Sequence, residues 1–347
     1  MLRRVACIVV ALASLSLTYA QTVHFVSLPA SQWNWRVVGP DRAGTSFLVE
    51  DTPASGSTLR YRATFSTLLN RWFLTPYSVP TNFPLARART LSGNGDTVIF
   101  GIGGSLVWHR PTNTFTDTII NLDCVSNNGL ILMGVRANNL YRMDLTENSL
   151  FAVATMLAPK GKPPLPNWSY MAMNSNATKV AIGSEWSGVL TTHLWMGQSS
   201  IPAWVEPSSK FLFPEDMSDT GSVTIGQGHI RFGTADAEDL PTTSFVSGID
   251  YPFPYAEYLS GDGAIALGND FVGSEYEWLI WNTLGGRMRE LRGYLAGIFG
   301  NAVMNQVGVI KDAKISKDRT TMVLLFLTPT TLEQKVVVLK TSPFPVP

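Results

Sequence analysis

Cysteine, histidine and charge are all scarce in this chain, and each scarcity excludes a class of function. The 347 residues include two cysteines and four histidines, and charged residues make up 15%. Cys7 lies in an apolar N-terminal stretch that is expected to be removed, which leaves Cys124 with no partner for an internal disulfide. Cys124 continues the apolar strand pattern Ile120, Leu122, Cys124 and reads as a buried, inert thiol. His24, His109, His193 and His229 are scattered without ligand-type spacing, so no metal site is assigned and strand-end or surface positions are expected. Basic and acidic residues balance at 26 each. Such a chain lacks the basic surplus that nucleic acid or an anionic membrane surface would demand.

Long hydrophobic runs are also missing after residue 20, so no membrane span is expected in the mature chain. The first twenty residues differ. Met1-Leu2-Arg3-Arg4 is a short basic start, Val5 to Leu17 is apolar, and Thr18-Tyr19-Ala20 forms a cleavage site. Residues 1–20 therefore read as a secretory signal peptide, too short in its apolar part to serve as an anchor. Cys7 is not placed for lipoprotein-type cleavage, so no lipid anchor is expected. Loss of Arg3 and Arg4 lowers the basic count from 26 to 24 against 26 acids, a mature net charge of about −2. Residues 21–347 are expected to form a single domain, monomeric and secreted or periplasmic.

Apolar residues, at 45%, are plentiful, and their arrangement is repetitive. The clearest copy runs Leu259-Ser260-Gly261-Asp262-Gly263, then Ala264-Ile265-Ala266-Leu267-Gly268, a polar loop, and Trp278-Leu279-Ile280-Trp281. Ser and Asp side chains in such a turn accept bonds from nearby backbone N–H groups, and Gly takes positive φ at no steric cost. The apolar run is too short for an ordinary helix and reads as a strand buried on both faces. Seven such turns can be aligned, beginning at Asp41, Ser92, Ser126, Asn174, Ser218, Ser260 and Ser316. Their mean spacing of about 46 residues suits one four-stranded propeller blade per repeat. Five of the runs close on glycine, at Gly101, Gly134, Gly183, Gly226 and Gly268, and the following strand often carries an aromatic: Trp108, Tyr141, Trp195, Phe232 or Trp281.

The predicted fold is therefore all-β, a propeller of about seven four-stranded antiparallel blades. The last repeat lacks a fourth strand, and Thr22 to Leu28 offers one. Pairing of that strand with Lys335–Lys340 is expected to close the ring and remove two exposed sheet edges. Two stretches break the pattern. Pro159 to Pro166 reads as a stiff inter-blade connection. Gly286 to Gly300 reads as a short amphipathic helix on the rim, with Met288, Leu291, Leu295 and Ile298 on one face.

The run from Leu259 to Trp281, followed by Gly285-Gly286-Arg287-Met288-Arg289-Glu290-Leu291, resembles the HAF-type extracellular repeat proteins. Ala313-Lys314-Ile315-Ser316-Lys317-Asp318 likewise looks like the terminal repeat of that group, with Arg319 in place of its last glycine. The likeness is good over residues 255–326, partial over 89–235 and faint before residue 80. The His-Ala-Phe triplet that names the family is absent; Tyr276-Glu277-Trp278 and Thr192-His193-Leu194 stand nearest its place. The resemblance implies an exported, bacterial, β-propeller-like protein of undefined biochemical role, and it carries no catalytic residues.

Residues that carry chemistry elsewhere have plain readings here. Asp270, Glu275 and Glu277 are close in sequence, as a glycosidase pair would be, but read as a solvated loop. Asp96, Asp219, Asp262 and Asp318 stand at turns, where backbone capping is expected rather than Ca²⁺ ligation. The Ser-x-Asp-Gly turns differ from the sialidase-type Asp box, since the Gly comes one residue early and no Trp follows. Gly101-Ile102-Gly103-Gly104 lacks the lysine and fold context of a phosphate loop. Trp33, Trp35, Trp186 and Trp204 fall outside the repeated strand positions and read either as sugar- or partner-binding aromatics or as packing between blades. Asn167-Trp168-Ser169 and Asn176-Ala177-Thr178 match the glycosylation pattern.

No catalytic, cofactor-binding or metal-binding residue is assigned, and no cofactor is expected. The leading expectation is a non-enzymatic scaffold whose loops bind a protein or a glycan. The alternative is a carbohydrate-active hydrolase or lyase at the mouth of the central channel. The enzyme should show a deep mouth lined by two or more carboxylates, or a His–carboxylate pair, with shifted pKa values. The scaffold should show a broad aromatic surface.

Overall fold

The structure, a computed structural model, describes residues 21–30, 34–51, 58–101, 104–156, 158, 160–163, 166, 168–197, 203–205, 213–272 and 275–347, with backbone only at 168, 203–205, 272 and 275. The signal-peptide assignment at 1–20, together with Trp33, Asn167 and part of Pro159–Pro166, lies outside the described residues.

Among the described residues the strands form seven four-stranded antiparallel sheets, the blades of a propeller. Blades I to VI cover residues 35–76, 87–118, 121–155, 168–205, 216–239 and 255–290. Blade VII combines residues 310–340 with 22–26. The first strand of each blade is innermost: Trp35–Val38, Arg87–Leu91, Asn121–Val125, Trp168–Met173, Asp216–Met217, Tyr255–Leu259 and Ile310–Ile315. Each of these lies against the first strands of both neighbouring blades, so they close a circle around the axis.

Strand periodicity explains the stacking. In Thr97–Gly101, Val98 and Phe100 join Val38 and Leu48 of blade I, whereas Ile99 joins Leu122 and Leu132 of blade III. In Ile265–Val272, Ile265 and Leu267 face blade VII, while Ala266 faces blade V. Alternate side chains point to opposite sheet faces, so an uninterrupted apolar run serves two cores at once. The buried apolar residues accordingly divide into clusters that each lie between adjacent blades.

All seven aligned turns connect the first and second strands of their blades. In the Ser260 turn, the Ser260 hydroxyl accepts the Ile265 N–H at 2.9 Å and Asp262 Oδ1 accepts that of Ala264 at 3.0 Å. Gly263 stands at φ +77°. Ser92, Ser126, Ser218 and Ser316 accept the equivalent N–H at 2.9–3.0 Å, and Asn174 does so through its amide oxygen.

The turn tips also bond to one another around the axis. Arg42 N–H donates to Gly93 O, Asn94 to Asn127 O, and Asn127 to Ser175 O. The Ser175 hydroxyl donates to Asp219 O. Asp219 N–H then donates to Gly261 O, Gly261 to Lys317 O, and Asp318 back to Arg42 O. Seven bonds thus form a closed ring. The approach is tight: a Cβ on Gly261 would lie 2.2 Å from Asp219 Oδ2 and 2.7 Å from Lys317 O. The recurrent glycine of the second strand, which ends the strand at Gly101 and Gly226 but lies within it at Gly134, Gly183 and Gly268, has a similar cause. A Cβ on Gly268 would lie 2.0 Å from Tyr255 O, because the innermost strand bulges towards it between Ala256 and Tyr258.

The chain ends meet as expected. Thr22–Val26 pairs antiparallel with Gln334–Lys340, placing Val23 opposite Leu339 and Val26 opposite Val336. The amphipathic helix is shorter than the sequence implies. Arg287–Glu290 is the outer strand of blade VI, and the helix spans Leu291–Phe299. Met288 is therefore buried from a strand, and the helix contributes Leu291, Tyr294 and Leu295 to the core between blades VI and VII. Cross-strand bonds to Leu279–Asn282 override the helical spacing over those four residues. The described part of Pro159–Pro166 joins blades III and IV outside any strand.

Deleting residues 21–30 removes the burial of Val26 and part of that of Val23 and Leu28, and bares the edge of Gln334–Lys340. A loss of about 3 kcal/mol is expected, measured as a lower urea midpoint; an unchanged midpoint would refute closure by this strand.

Candidate functional site

The turn ring narrows one end of the channel, and Arg42 Nη1 reaches from the blade I turn to Asp219 Oδ2 of the blade V turn at 2.5 Å. From the opposite end a funnel of about 1190 Å³ descends along the innermost strands as far as Lys317. Its walls hold Arg36, Arg89, Lys311, Lys314 and Lys317 together with Asp123, Glu215, Asp216, Glu257, Asp270 and Asp312. In a chain so poor in charge this is a marked concentration.

Most of these charges are tied. Arg36 Nη2 meets Glu50 at 2.7 Å, Arg89 meets Asp123 at 2.9 Å, and Lys314 meets Asp312 at 2.9 Å. Lys314 also donates to the Tyr258 hydroxyl. Lys317 Nζ lies 2.6 and 2.7 Å from the two oxygens of Asp216 and donates to Met217 O and Leu259 O as well. It is a strut between blades V, VI and VII.

Glu215, Glu257 and Asp270 have no cationic partner among the described residues. Glu215 accepts the Tyr255 hydroxyl. Glu257 Oε1 accepts Asn269 Nδ2 at 2.7 Å. Asp270 is 1% exposed; its Oδ2 accepts the Phe253 N–H at 3.0 Å and its Oδ1 has no hydrogen-bond partner. Burial, outweighing the Tyr255 bond that pulls the other way, raises the Glu215 carboxyl to about 7; the charges of Glu257 and Asp216 add to the rise. Burial and Glu215 together push the Tyr255 hydroxyl far up, which keeps it a donor.

Three exposed aromatics border the same funnel. Phe253, Phe271 and Tyr276 are 82%, 56% and 60% exposed, and all line the funnel. Phe271 and Tyr276 face one another across the strand pair Ile265–Val272 and Glu275–Asn282, with ring centroids 5.2 Å apart.

Several residues marked in the sequence lie elsewhere. Asp270, Glu275 and Glu277 belong to paired strands rather than to a solvated loop, because the blade VI hairpin is longer than its repeat implies. Of the turn acids, Asp262 and Asp318 cap backbone N–H groups, but Asp96 binds Arg110 and Asp219 binds Arg42. Trp35 packs against Tyr61, and the fully buried Trp186 donates to Thr191 Oγ1 at 3.0 Å, so both are packing residues. Trp204 lies in the strand Ala203–Val205. The histidines are spread over four blades: His24 beside Phe65, His109 on Thr97, His193 buried near Trp186, and His229 on Asp239. Among the described residues no group of three or more His, Cys, Asp and Glu is placed to hold a metal ion. Cys124 points at Met171 O, and burial pushes its thiol well up. Gly101 and Gly104 flank the tip of a blade II hairpin, and Ile102 and Gly103 lie outside the described residues. Asn176 is exposed in the blade IV turn.

Sequence reasoning missed Glu215, Tyr255, Glu257 and Phe253. The available signals were the string Tyr251-Pro252-Phe253-Pro254-Tyr255 and the adjacent acids Glu215-Asp216, each running into the start of an innermost strand.

No family model matches the chain, and no curated protein matches it. Solved structures do. An oligogalacturonate lyase from Vibrio parahaemolyticus superposes with a TM-score of 0.50 at 10% identity, covering 92% of this chain and 97% of that one. A chain of the mitotic checkpoint complex matches with a TM-score of 0.47 at 10% identity, over 85% of this chain and 84% of that one. At such identity the likeness extends to the propeller fold alone.

Because the carboxyl of Glu215 is raised from 4.5 to about 7, the folded chain holds a proton there that the unfolded chain has released. Stability contributed by this site is therefore present below pH 4.5 and lost as pH rises through 7. Glu215→Gln should be more stable relative to the parent at pH 8 than at pH 4.5, by on the order of 1–2 kcal/mol, read from urea midpoints at the two pH values.

Proposed function

We propose that the protein is an exported, HAF-type propeller that binds a saccharide at the mouth of its channel. Support for export comes from the basic, apolar and cleavage-site segments of residues 1–20, and support for the family from the repeat at residues 255–326. The observation that carries the binding reading is that the exposed rings of Phe253, Phe271 and Tyr276 border the same funnel as the Asn269–Glu257 pair and Glu215. Sugars offer an apolar ring face to aromatic side chains and hydroxyl groups to carboxylates and amides. The funnel volume is ample for several rings. Protein binding has less to recommend it here, since the exposed rings border a deep polar hollow rather than a flat patch.

A second reading, a carbohydrate-active hydrolase or lyase, is favoured by one observation. Glu215, half ionised near neutral pH and bonded to the protonated Tyr255, has the properties of a general acid–base. The similarly folded oligogalacturonate lyase is an enzyme of that general class.

A glycan array with residues 21–347 should retain a defined set of saccharides. Phe253→Ala, Phe271→Ala and Tyr276→Ala should each weaken that binding by about 5–30-fold, the equivalent of ~1–2 kcal/mol per ring. Binding indifferent to all three substitutions would remove the reading. A depolymerase screen on the retained saccharides decides the second: turnover abolished by Glu215→Gln with binding kept would establish it.

A further inference from the structure

The strand that closes the ring begins beside a reactive residue. Cleavage after Ala20 makes Gln21 the first residue of the mature protein. A glutamine in that place differs chemically from an internal one. It carries a free α-amine, and its own side-chain amide carbon, Cδ, lies at the distance that closes a five-membered ring. The fold leaves this ring free to form. Gln21 is exposed and stands outside any helix or strand, directly ahead of Thr22–Val26. Thr22 is already in register with Lys340. Cyclisation uses only the amine and side chain of residue 21, so the pairing of Thr22–Val26 stays intact.

The surroundings are better suited to a neutral end than to a charged one. Lys340 Nζ lies 4.5 Å from the ring centroid of Phe65 and 6.0 Å from that of Trp72. Burial lowers the Lys340 ammonium, against Asp318 and Asp41, which pull it up. His24, two residues beyond Thr22, is lowered by burial and then by the charge of Lys340. An α-ammonium on residue 21 adds a further cation one residue from the Thr22–Lys340 pair, whereas a lactam adds none.

Resting on the export reading, we propose that Gln21 is converted to pyroglutamate once the leader is removed, so that the closing strand starts with a blocked, uncharged end. The neutral α-amine nitrogen bonds to Cδ, the bond from Cδ to Nε2 breaks, and one amine proton leaves with Nε2 as ammonia. The step consumes no oxidant, reductant or co-reactant. Its product offers no amine to an aminopeptidase. Trimming then cannot start on the strand that covers the edge of Gln334–Lys340.

The test is the mass of the full chain recovered from a host that exports it, after several days at neutral pH. The chain should begin at residue 21 and fall short of the free-glutamine form by one ammonia, about 17 Da, and Edman degradation should release no sequence. A pyroglutamate-specific aminopeptidase should then remove residue 21 and expose Thr22. Asn94-Gly95 and Asn128-Gly129 can also lose ammonia, as succinimides, so Gln21→Ser is the control. It should keep its full mass and a readable amino terminus; a shortfall that persists in it places the loss elsewhere and overturns the proposal. The role of the fold is read from rates, with residues 21–347 freed from a cleavable amino-terminal fusion. Folded protein should cyclise within about threefold of the rate in urea, and slowing by about tenfold or more overturns the proposal, since the fold would then hold the side chain away from its amine. A chain that begins at Gln21 and keeps its full mass overturns the proposal and leaves export standing. A chain that retains residues 1–20 overturns both.

Discussion

The ring of hydrogen bonds joining the seven turn tips is the constraint on which the rest of this molecule depends. A backbone N–H can bond to the next turn only if both tips lie at the same height and angle about the axis. The serines that shape the turns are buried. The ring therefore fixes where each innermost strand begins to diverge from its neighbours. Everything towards the other end follows from that fixed start: the strands fan apart, the sheets twist, and the channel widens into the funnel. The Arg42–Asp219 contact braces the narrow end across two blades that do not adjoin.

That geometry makes the site asymmetric. Blade V has the smallest sheet, with an innermost strand of two residues, Asp216–Met217. Glu215 therefore stands before the strand, where its side chain can turn towards Tyr255. Blade VI has paired central strands of eight residues each, and their far ends carry Asp270, Phe271 and Tyr276 well past the short ladder of blade V. A short blade beside a long one creates a recess under an overhang. Charge gathers there because the innermost strands turn side chains such as Glu257 and Lys311 towards the funnel.

How much of this was legible in the sequence depended on what each feature repeats. The turns recur seven times, and Ser92, Ser126, Ser218, Ser260 and Ser316 perform one task at one strand position, so blade number and strand order could be read directly. The pairing of Thr22–Val26 with Gln334–Lys340 followed from a missing strand at one end and a spare at the other. The Arg287–Glu290 strand was misread because Met288, Leu291 and Leu295 satisfy a helical spacing whichever structure they adopt. The site was largely illegible for the opposite reason. Glu215, Tyr255 and Glu257 belong to no repeat and lie up to 42 residues apart in sequence, and they meet only because the innermost strands of blades V and VI are adjacent. Asp270 and its neighbours were seen, but as a loop, since polar residues at the end of a hairpin look alike whether paired or not.

The seventh blade draws its outer strand from the beginning of the chain and its other three from the end, and this bears on how the molecule comes into being. Val23 leaves the ribosome 316 residues before Leu339, its register partner, an interval of roughly 15–60 s at ordinary elongation rates. Through all that time the early strand has no ladder to join, and blades I to VI can stack only into an open arc. Closure therefore waits until residues 334–340 have emerged, and until then the stacked blades I to VI keep an open sheet face at each end of the arc.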